Sequence, residues 1–239
     1  MQVPDQRIVV ITGASRGIGA AIARRLAKSG AHLVLTGRDR AKLQSVADQA
    51  ISAGGTAEAH LCDLRDPSQI ESLAKTVLSQ HGRCDVLINN AGLGRFGEPL
   101  HTLEPSEWDR ILETNLRAPY LLVRAFAPAM IAAGGGHIIN ISSLAGRNPL
   151  PNAAAYAASK WGLNGLMYSV AEELRPHKIR VSLIAPGSTQ TEFAGGLSAK
   201  KSPLGALAPD DVAHVVEMLL TQADASFVSE VLIRPTLKI

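Results

Sequence analysis

The chain has 239 residues, 46% of them hydrophobic and 19% charged, with a formal net charge of +3. This apolar content is enough for a large buried core and is not typical of a disordered protein. The sequence contains no basic stripe for nucleic acid and no apolar run of the ~20 residues that span a bilayer. The first seven residues are polar and do not match a signal peptide, so we expect a cytoplasmic protein.

The cysteine and histidine residues do not follow a metal-site pattern. Cys62 and Cys84 are the only cysteines, and two widely spaced thiols are too few for a disulfide framework or a zinc cluster. The seven histidines are scattered along the sequence, without the spacing of a ligand pair. We therefore expect reduced cysteines, structural or surface histidines, and no bound metal.

Short β-branched runs alternate with longer helical patterns along the chain. The predicted strands cover 7–11, 32–36, 57–61, 86–89, 137–141, 180–184 and 230–233. The predicted helices cover 18–28, 40–53, 67–81, 105–132, 154–175 and 209–221. This alternation predicts a single α/β domain over 1–239, a Rossmann-type doubly wound parallel sheet of about seven strands with helices on both faces. A segment at 191–207, rich in Gly, Ser, Ala and Lys, interrupts the alternation of strands and helices and is predicted to cover the substrate site.

The first predicted strand runs directly into a glycine-rich turn. Gly13, Gly17 and Gly19 are spaced G-x-x-x-G-x-G, and an amphipathic helical pattern follows them. Glycines let the backbone approach a pyrophosphate closely, and the helix behind them offers free N–H groups and a positive dipole end. An ordinary glycine-rich turn is the alternative, but the position in the first βα unit favours a dinucleotide site.

The end of the second predicted strand indicates which dinucleotide is bound. An acid there would bind the ribose 2′-hydroxyl of NAD, but Arg38 occupies this position. Arg16, in the glycine turn, points towards the same corner, and two guanidinium groups suit a 2′-phosphate. We therefore predict NADP(H), although Arg38 could instead pair with the adjacent Asp39.

Tyr156 and Lys160 are four residues apart in a predicted helix, so they share one helix face. A nearby ammonium favours the phenolate, so we expect Lys160 to lower the pKa of Tyr156 and suit it to general acid–base catalysis. Ser142 and Ser143 follow the fifth predicted strand, where ligands of open α/β sheets bind. Asn115 lies in a long predicted helix that Pro119 is expected to kink, which would free a carbonyl to hold a water on a proton path to Lys160. Helix polarity alone would also explain Asn115.

Together these residues resemble the short-chain dehydrogenase/reductase family over 7–191 and, more loosely, to the end of the chain. The resemblance is carried by Thr12-Gly-Ala-Ser-Arg-Gly-Ile-Gly19, Asn89-Asn-Ala-Gly92, Asn115, Ser143, Tyr156-x-x-x-Lys160 and Pro186-Gly187. The resemblance implies that Tyr156 is the general acid/base and that Lys160 lowers its pKa and holds the nicotinamide ribose. It also implies that Ser143, rather than Ser142, orients the substrate carbonyl and that Asn115 supports a proton relay.

The resemblance also implies a cofactor-binding surface that runs from the glycine turn to the sixth strand. Asp63 would lie beside the adenine, and Pro186 would begin the nicotinamide end. With Tyr156 and Lys160, the implied cofactor-binding residues are Gly13, Ser15, Arg16, Gly17, Ile18, Gly19, Arg38, Asp63, Leu64, Asn90, Ala91, Gly92, Pro186, Gly187, Ser188 and Thr191.

The expected function is an NADP(H)-dependent oxidoreductase that moves a hydride between nicotinamide and a carbonyl or alcohol on a small or acyl-type substrate. Within the family, 3-oxoacyl carrier-protein reductases and hydroxy-acid dehydrogenases are both compatible with the sequence. A non-catalytic NADP(H) sensor is the alternative from another class.

The family also implies a homotetramer or dimer built through the helices at 105–132 and 154–175. An apolar pocket is expected from Phe96, Leu144, Leu150, Phe193 and Leu197, with ordinary loop packing as the alternative.

Overall fold

The computed structural model describes residues 7–193 and 205–237. Its centre is a seven-stranded parallel sheet of order β3-β2-β1-β4-β5-β6-β7. The strands are β1 Ile8–Thr12, β2 His32–Gly37, β3 Thr56–Leu61, β4 Val86–Asn89, β5 Gly136–Ile141, β6 Ile179–Pro186 and β7 Glu230–Ile233. The strand order reverses between β1 and β4, which makes the doubly wound Rossmann-type sheet that the sequence predicts.

Helices cover both faces of the sheet. They are α1 Gly17–Leu26, α2 Arg40–Ser52, α3 Pro67–His81, α4 Pro105–Leu112, α5 Ala118–Ala132, α6 Ala154–Leu174 and α7 Pro209–Leu220. Successive side chains of a strand point to opposite faces. In β1, Val9 and Ile11 therefore join one core with α1, α2 and α7, and Ile8 and Val10 join the other with α3, α5 and α6.

The predicted helix at 105–132 is helical throughout in the structure, but it is not a regular α-helix. The structure divides it into α4 and α5, joined by a π-helical turn at Glu113–Arg117 that contains Asn115. Pro119 follows this turn within a continuous run of helical residues, so its missing N–H leaves a carbonyl of the turn without its usual helix partner. The irregularity comes from the wider π turn, a feature that recurs at functional sites.

Both cysteines are free and buried, and burial raises the pKa of each thiol, that of Cys62 to about 11. Such thiols are poorly reactive at neutral pH.

No helix among the described residues has the length and apolarity to cross a membrane. Residues 194–204, most of the predicted covering segment, lie outside the described residues. The two chain ends beside them meet at a bridge between Thr189 and Leu207.

Candidate active site

A cleft of about 800 Å³ runs along the carboxyl ends of the strands, from the glycine turn to Tyr156. This is the position that ligands occupy in doubly wound sheets. Every predicted site residue lines it except Gly19, which packs behind the glycine turn, and Asn115, which is fully buried. The structure thus gathers residues from seven segments of the chain around one opening.

The glycine turn is packed tightly against the loop after β4. Gly13 has φ +64°, and a Cβ there would lie 2.8 Å from Ala91 Cα. A Cβ on Gly19 would overlap the Gly13 carbonyl oxygen and the Asn90 amide. Two of the three glycines are therefore required by backbone packing, which holds the loop and the turn in fixed positions around the cleft.

We expect Gly19→Ala to destabilise the fold, because the added methyl group would overlap the Gly13 carbonyl oxygen and the Asn90 amide. Overpacking of this kind costs ~1–3 kcal/mol, which corresponds to a loss in Tm of about 2–12 °C in a chain of this size. Gly165→Ala in α6 is the matched control, since no atom lies within 4 Å of its Cβ position. Thermal unfolding should show a lower Tm for the first variant only. Equal Tm values would contradict the packing argument.

The start of α1 fits a phosphate group. No described side chain caps the helix at Arg16, and its first turn contains no acidic residue. Its N–H groups and positive dipole end therefore face the cleft without a competing carboxylate on the helix. A phosphate at this position would satisfy them, and the close packing of the glycines leaves the backbone accessible for it.

Cationic side chains gather at the corner of the cleft beside the glycine turn. Arg38, Lys42 and Arg16 all line it. Asp39 accepts a hydrogen bond from the backbone N–H of Lys42 at 3.1 Å, so it caps α2, and the described residues contain no Arg38–Asp39 ion pair. Arg16 Nη1 lies 2.7 Å from Glu192 Oε2, but both side chains are more than half exposed. Exposed pairs of this kind are weak, so Arg16 can exchange Glu192 for a phosphate.

Asp63 is held at the rim of the cleft by Arg65. The guanidinium makes two hydrogen bonds to the carboxylate, at 2.6 and 3.1 Å, and lowers the pKa of Asp63 to about 2. The side chain is therefore ionised and fixed in direction at neutral pH. Leu64 follows it on the cleft wall. No sequence pattern indicates that Arg65 orients Asp63.

The Asn90-Ala91-Gly92 loop is fastened to β1 by Thr12. The Thr12 hydroxyl accepts hydrogen bonds from the N–H groups of Asn90 and Ala91 at 3.0 and 3.1 Å. The Asn90 side chain donates to the Thr12 carbonyl at 2.8 Å. These bonds set the loop opposite the glycine turn. Thr12 begins the glycine-turn motif, but no role is predicted for it from the sequence, and the structure shows it to be a positioning residue.

Asn115 joins the same loop to α6. Its Oδ1 accepts from the N–H of Leu93 at 2.7 Å, and its Nδ2 donates to the Leu93 carbonyl at 2.7 Å and to Ser159 Oγ at 2.9 Å. The side chain is fully buried and its amide is occupied by these three bonds. It therefore positions the π turn and the loop around Lys160. The expected proton relay uses a backbone carbonyl, which these side-chain bonds do not involve, and it stays a prediction.

The two serines after β5 have different surroundings. Ser142 is buried and donates to Asn164 Oδ1 at 2.6 Å, so its hydroxyl fixes α6 to the sheet. Ser143 lies at the cleft, where its Oγ accepts from the N–H of Ala145 at 3.1 Å and faces Tyr156. The hydroxyl that remains available to a carbonyl is that of Ser143.

Tyr156 and Lys160 lie side by side at the bottom of the cleft, both nearly fully buried. Lys160 Nζ donates to the Ile141 carbonyl at 2.9 Å and lies 5.9 Å from the centre of the Tyr156 ring. Burial lowers the pKa of Lys160 to about 8. Burial also raises the pKa of Tyr156, an effect that the Ser143 hydroxyl opposes. The expected lowering of the pKa of Tyr156 by Lys160 is therefore wrong for the chain alone, because burial raises this pKa and the opposing effect comes from Ser143.

This lowered pKa of Lys160 gives the site a testable pH dependence. Lys160 is an ammonium below about pH 8 and loses its charge as the pH rises through that value. We expect kcat/KM for carbonyl reduction to be steady below about pH 8 and to fall about tenfold per pH unit above it. Lys160→Arg, which stays charged, should abolish this fall in whatever activity it keeps. A wild-type profile that is flat to pH 10 would contradict the assignment.

One wall of the cleft is aromatic. The ring of Phe96 lies 5.1 Å from that of Tyr156 and 6.0 Å from that of Phe193, measured between centroids. Leu144 and Leu150 continue the apolar lining. The structure thus brings together four of the five residues predicted for an apolar pocket, while Leu197 lies outside the described residues.

Comparison with known proteins identifies the family. The family model for short chain dehydrogenase matches residues 7–202, most of the chain. The chain belongs to the short-chain dehydrogenase/reductase family. Human dehydrogenase/reductase SDR family member 4 is 34% identical over 93% of this chain and 84% of its own length. Cyclohexanol dehydrogenase from Acinetobacter sp. (strain SE19) is 34% identical over 94% of this chain and 91% of its own.

Solved structures of family members have the same architecture. A metagenomic short-chain oxidoreductase in complex with NADP is 60% identical and superposes with a TM-score of 0.88 over 98% of this chain and 99% of that one. An alcohol dehydrogenase from Thermococcus sibiricus, complexed with 5-hydroxy-NADP, is 31% identical with a TM-score of 0.91 over 98% and 99% of the two chains. Dehydrogenases and reductases of this family act on CH–OH and C=O groups with a nicotinamide dinucleotide.

Proposed function

We propose that this chain is an NADP(H)-dependent reductase of a carbonyl on a small, largely apolar substrate, and that it runs the reverse oxidation of the alcohol. The observation that carries the proposal is the grouping of Ser143, Tyr156 and Lys160 at one end of a cleft whose other end is a phosphate-binding turn. A bound NADP(H) would supply or accept the hydride. The side chains of Ser143, Tyr156 and Lys160 would orient the substrate and transfer the proton.

The three polar groups divide that work. Ser143 Oγ donates a hydrogen bond to the substrate carbonyl and orients it beside Tyr156. Burial keeps the Tyr156 phenol protonated at neutral pH, so it can donate its proton to the carbonyl oxygen during reduction. Lys160, charged below about pH 8, stabilises the phenolate that forms and holds the ribose hydroxyls.

Selection of NADP(H) over NAD(H) is proposed from the charge at the corner of the cleft. Arg38, Arg16 and Lys42 together provide the donors that a 2′-phosphate needs. Asp39 also lines this corner, but its carboxylate caps α2, and Arg38 occupies the position of the acid that would bind a 2′-hydroxyl. Asp63, Asn90 and the turn at Pro186–Thr191 are proposed to contact the adenosine and nicotinamide ends. The NADP in the 60%-identical structure supports this choice.

The aromatic wall supports an apolar substrate. Phe96 and Phe193 flank Tyr156, so the carbonyl would enter with apolar groups on one side. The related cyclohexanol dehydrogenase acts on an alicyclic alcohol by its name, which agrees with such a wall. An acyl thioester or a hydroxy acid carries polar groups that this aromatic wall does not match. The complete Ser143, Tyr156 and Lys160 set favours an enzyme over a non-catalytic NADP(H) sensor.

Assembly through α5 and α6 is also proposed. Trp161 and Tyr168 in α6 and Tyr120 in α5 are exposed aromatic residues, Trp161 at 52%. Of the small residues in α6, Gly162 packs within the chain, since its Cβ position lies 3.0 Å from Leu116, whereas Gly165 is open. This exposed aromatic surface suits a homo-oligomer of the homotetramer or dimer kind. A cytoplasmic location stays a prediction.

A panel of ketones, diketones and β-ketoacyl thioesters, followed by NADPH oxidation, tests the proposal. We expect turnover of an apolar or alicyclic ketone with NADPH and a much higher KM with NADH. Absence of turnover throughout the panel, with NADPH binding retained, would favour the sensor. A lower KM for NADH would reject the cofactor assignment.

A further inference from the structure

Three histidines surround one carboxylate at the edge of the sheet, away from the cleft. His81 Nε2 lies 2.8 Å and His32 Nε2 lies 3.6 Å from Glu58 Oε1, and His60 Nε2 lies 3.3 Å from Glu58 Oε2. All four side chains are partly buried, with exposed fractions of 18–27%. The histidines that looked scattered in the sequence are therefore clustered.

The parallel register explains the cluster. His32 in β2 lies opposite Thr56 in β3, so Glu58, two residues further along, is on the same sheet face. The helix α3 covers that face and ends at His81, directly over the two strands. Three elements that are distant in sequence thus each supply one group to the same place.

We propose that His32, Glu58 and His81 form a binding site for a divalent, zinc-type cation. Imidazole nitrogens and a carboxylate oxygen are zinc ligands, and ligand atoms of a tetrahedral site are separated by about 3.4 Å. Their three candidate atoms lie within 4.8 Å of one another. Movements of the order of 1 Å would bring all three into contact with one ion.

The hydrogen bonding leaves a nitrogen free for the metal. His32 Nε2 and His60 Nε2 are buried, and neither has a hydrogen-bond partner among the described residues. Buried polar atoms are seldom left this way, and each such exception calls for a ligand, a water or an ion. At the other side of the ring, His32 Nδ1 lies 3.1 Å from Thr56 Oγ1, and this oxygen lies 3.5 Å from the Ala31 carbonyl oxygen. The Thr56 hydroxyl donates its hydrogen to the Ala31 carbonyl, so it accepts a hydrogen bond from Nδ1–H of His32. The proton of the neutral ring is therefore on Nδ1, and Nε2 has the lone pair that a metal needs.

The charge states agree with this assignment. Burial and the neighbouring imidazoles lower the pKa of His32, so it is neutral at pH 7. The facing imidazoles lower the pKa of Glu58 against the effect of burial, so the carboxylate is ionised. A neutral imidazole and an ionised carboxylate are the forms that bind a metal. His60 Nε2 lies 3.3 Å from the second carboxylate oxygen, outside the group of three proposed ligands.

The position indicates a structural role. His32 is the first residue of β2, whereas the cleft begins at the other end of that strand, with Gly37 and Arg38. An ion here would fasten the end of α3 to β2 and to the edge strand β3. Binding should therefore stabilise the fold and leave the affinity for NADPH unchanged.

Titration of the chelator-treated protein with Zn²⁺ alone tests the site. We expect one equivalent to bind and the Tm to rise by about 5–11 °C at a free Zn²⁺ concentration of ~100 times Kd. Co²⁺ should give the visible absorption of a tetrahedral site. His81→Ala and Glu58→Gln should each remove the Tm rise and the Co²⁺ absorption, while the exposed His177→Ala keeps both.

Far-UV circular dichroism establishes that each variant is folded before titration. If His81→Ala does not fold, Glu58→Gln, which keeps the size of the side chain, carries the comparison. If the wild-type chain does not bind Zn²⁺ stoichiometrically, the proposal is overturned. So would an equal Zn²⁺-induced Tm rise in Glu58→Gln, since the ion would then be held elsewhere.

Discussion

Tyr156→Phe should lower kcat for carbonyl reduction by about 10²–10⁴-fold while the affinity for NADPH stays unchanged. The change removes only the hydroxyl that donates the proton. The ring remains, so its packing against Phe96 and Phe193 is kept and the Tm should move little. Single-turnover kinetics and a fluorescence titration with NADPH measure the two effects separately.

A second variant distinguishes the loss of a proton donor from a general disturbance of the site. Ser142→Ala removes a buried hydroxyl that bonds Asn164, close to the reacting groups but facing α6. It should lower the Tm and leave kcat within a few fold of the wild type. If Tyr156→Phe turns over at the wild-type rate, the phenol does not transfer the proton.

Arg38→Leu should raise KM for NADPH by about 10–100-fold and change KM for NADH little. Hydrogen bonds to charged groups contribute ~1.5–3 kcal/mol, and only NADPH carries the 2′-phosphate that Arg38 would bind. Initial rates at varied cofactor concentration give both KM values. The effect should weaken as the salt concentration rises, because the interaction is between charges at an exposed corner.

Arg40→Leu is the matched control for the cofactor experiment. Arg40 is two residues away, exposed, and outside the cleft lining, so it changes the net charge by the same amount without touching the corner. It should leave both KM values nearly as they were. Equal loss of NADPH and NADH affinity in Arg38→Leu would mean that Arg38 does not read the 2′-phosphate.

The fold was predictable because its strands are short, apolar and separated by helices with clear starts. The β4 and β7 boundaries and those of α3 are the predicted ones, and α3 begins at a proline after an aspartate cap. The irregularity near Pro119 was predictable from the sequence, but the π turn itself was not. A π turn depends on tertiary packing, here on the bonds of Asn115 to Leu93 and Ser159, which no local pattern shows.

The site was predictable to the extent that its chemistry is local. A glycine turn and a Tyr-x-x-x-Lys spacing can be read along one segment. Other features of the structure depend on residues from different elements or on side-chain direction. Examples are the hydrogen bonds of Thr12 to the Asn90 loop, those of Arg65 to Asp63, and the His32–Glu58–His81 cluster. The pKa of Tyr156 was misjudged for a related reason, because burial is a property of the folded chain and not of residue spacing.

Transfer of deuterium from NADPH labelled at C4 of the nicotinamide tests the central claim most directly. With a ketone that the enzyme turns over, mass spectrometry should find one deuterium on the carbinol carbon of the product when the transferred C4 position is labelled. A product that forms without deuterium from either C4-labelled epimer would contradict direct hydride transfer in this cleft.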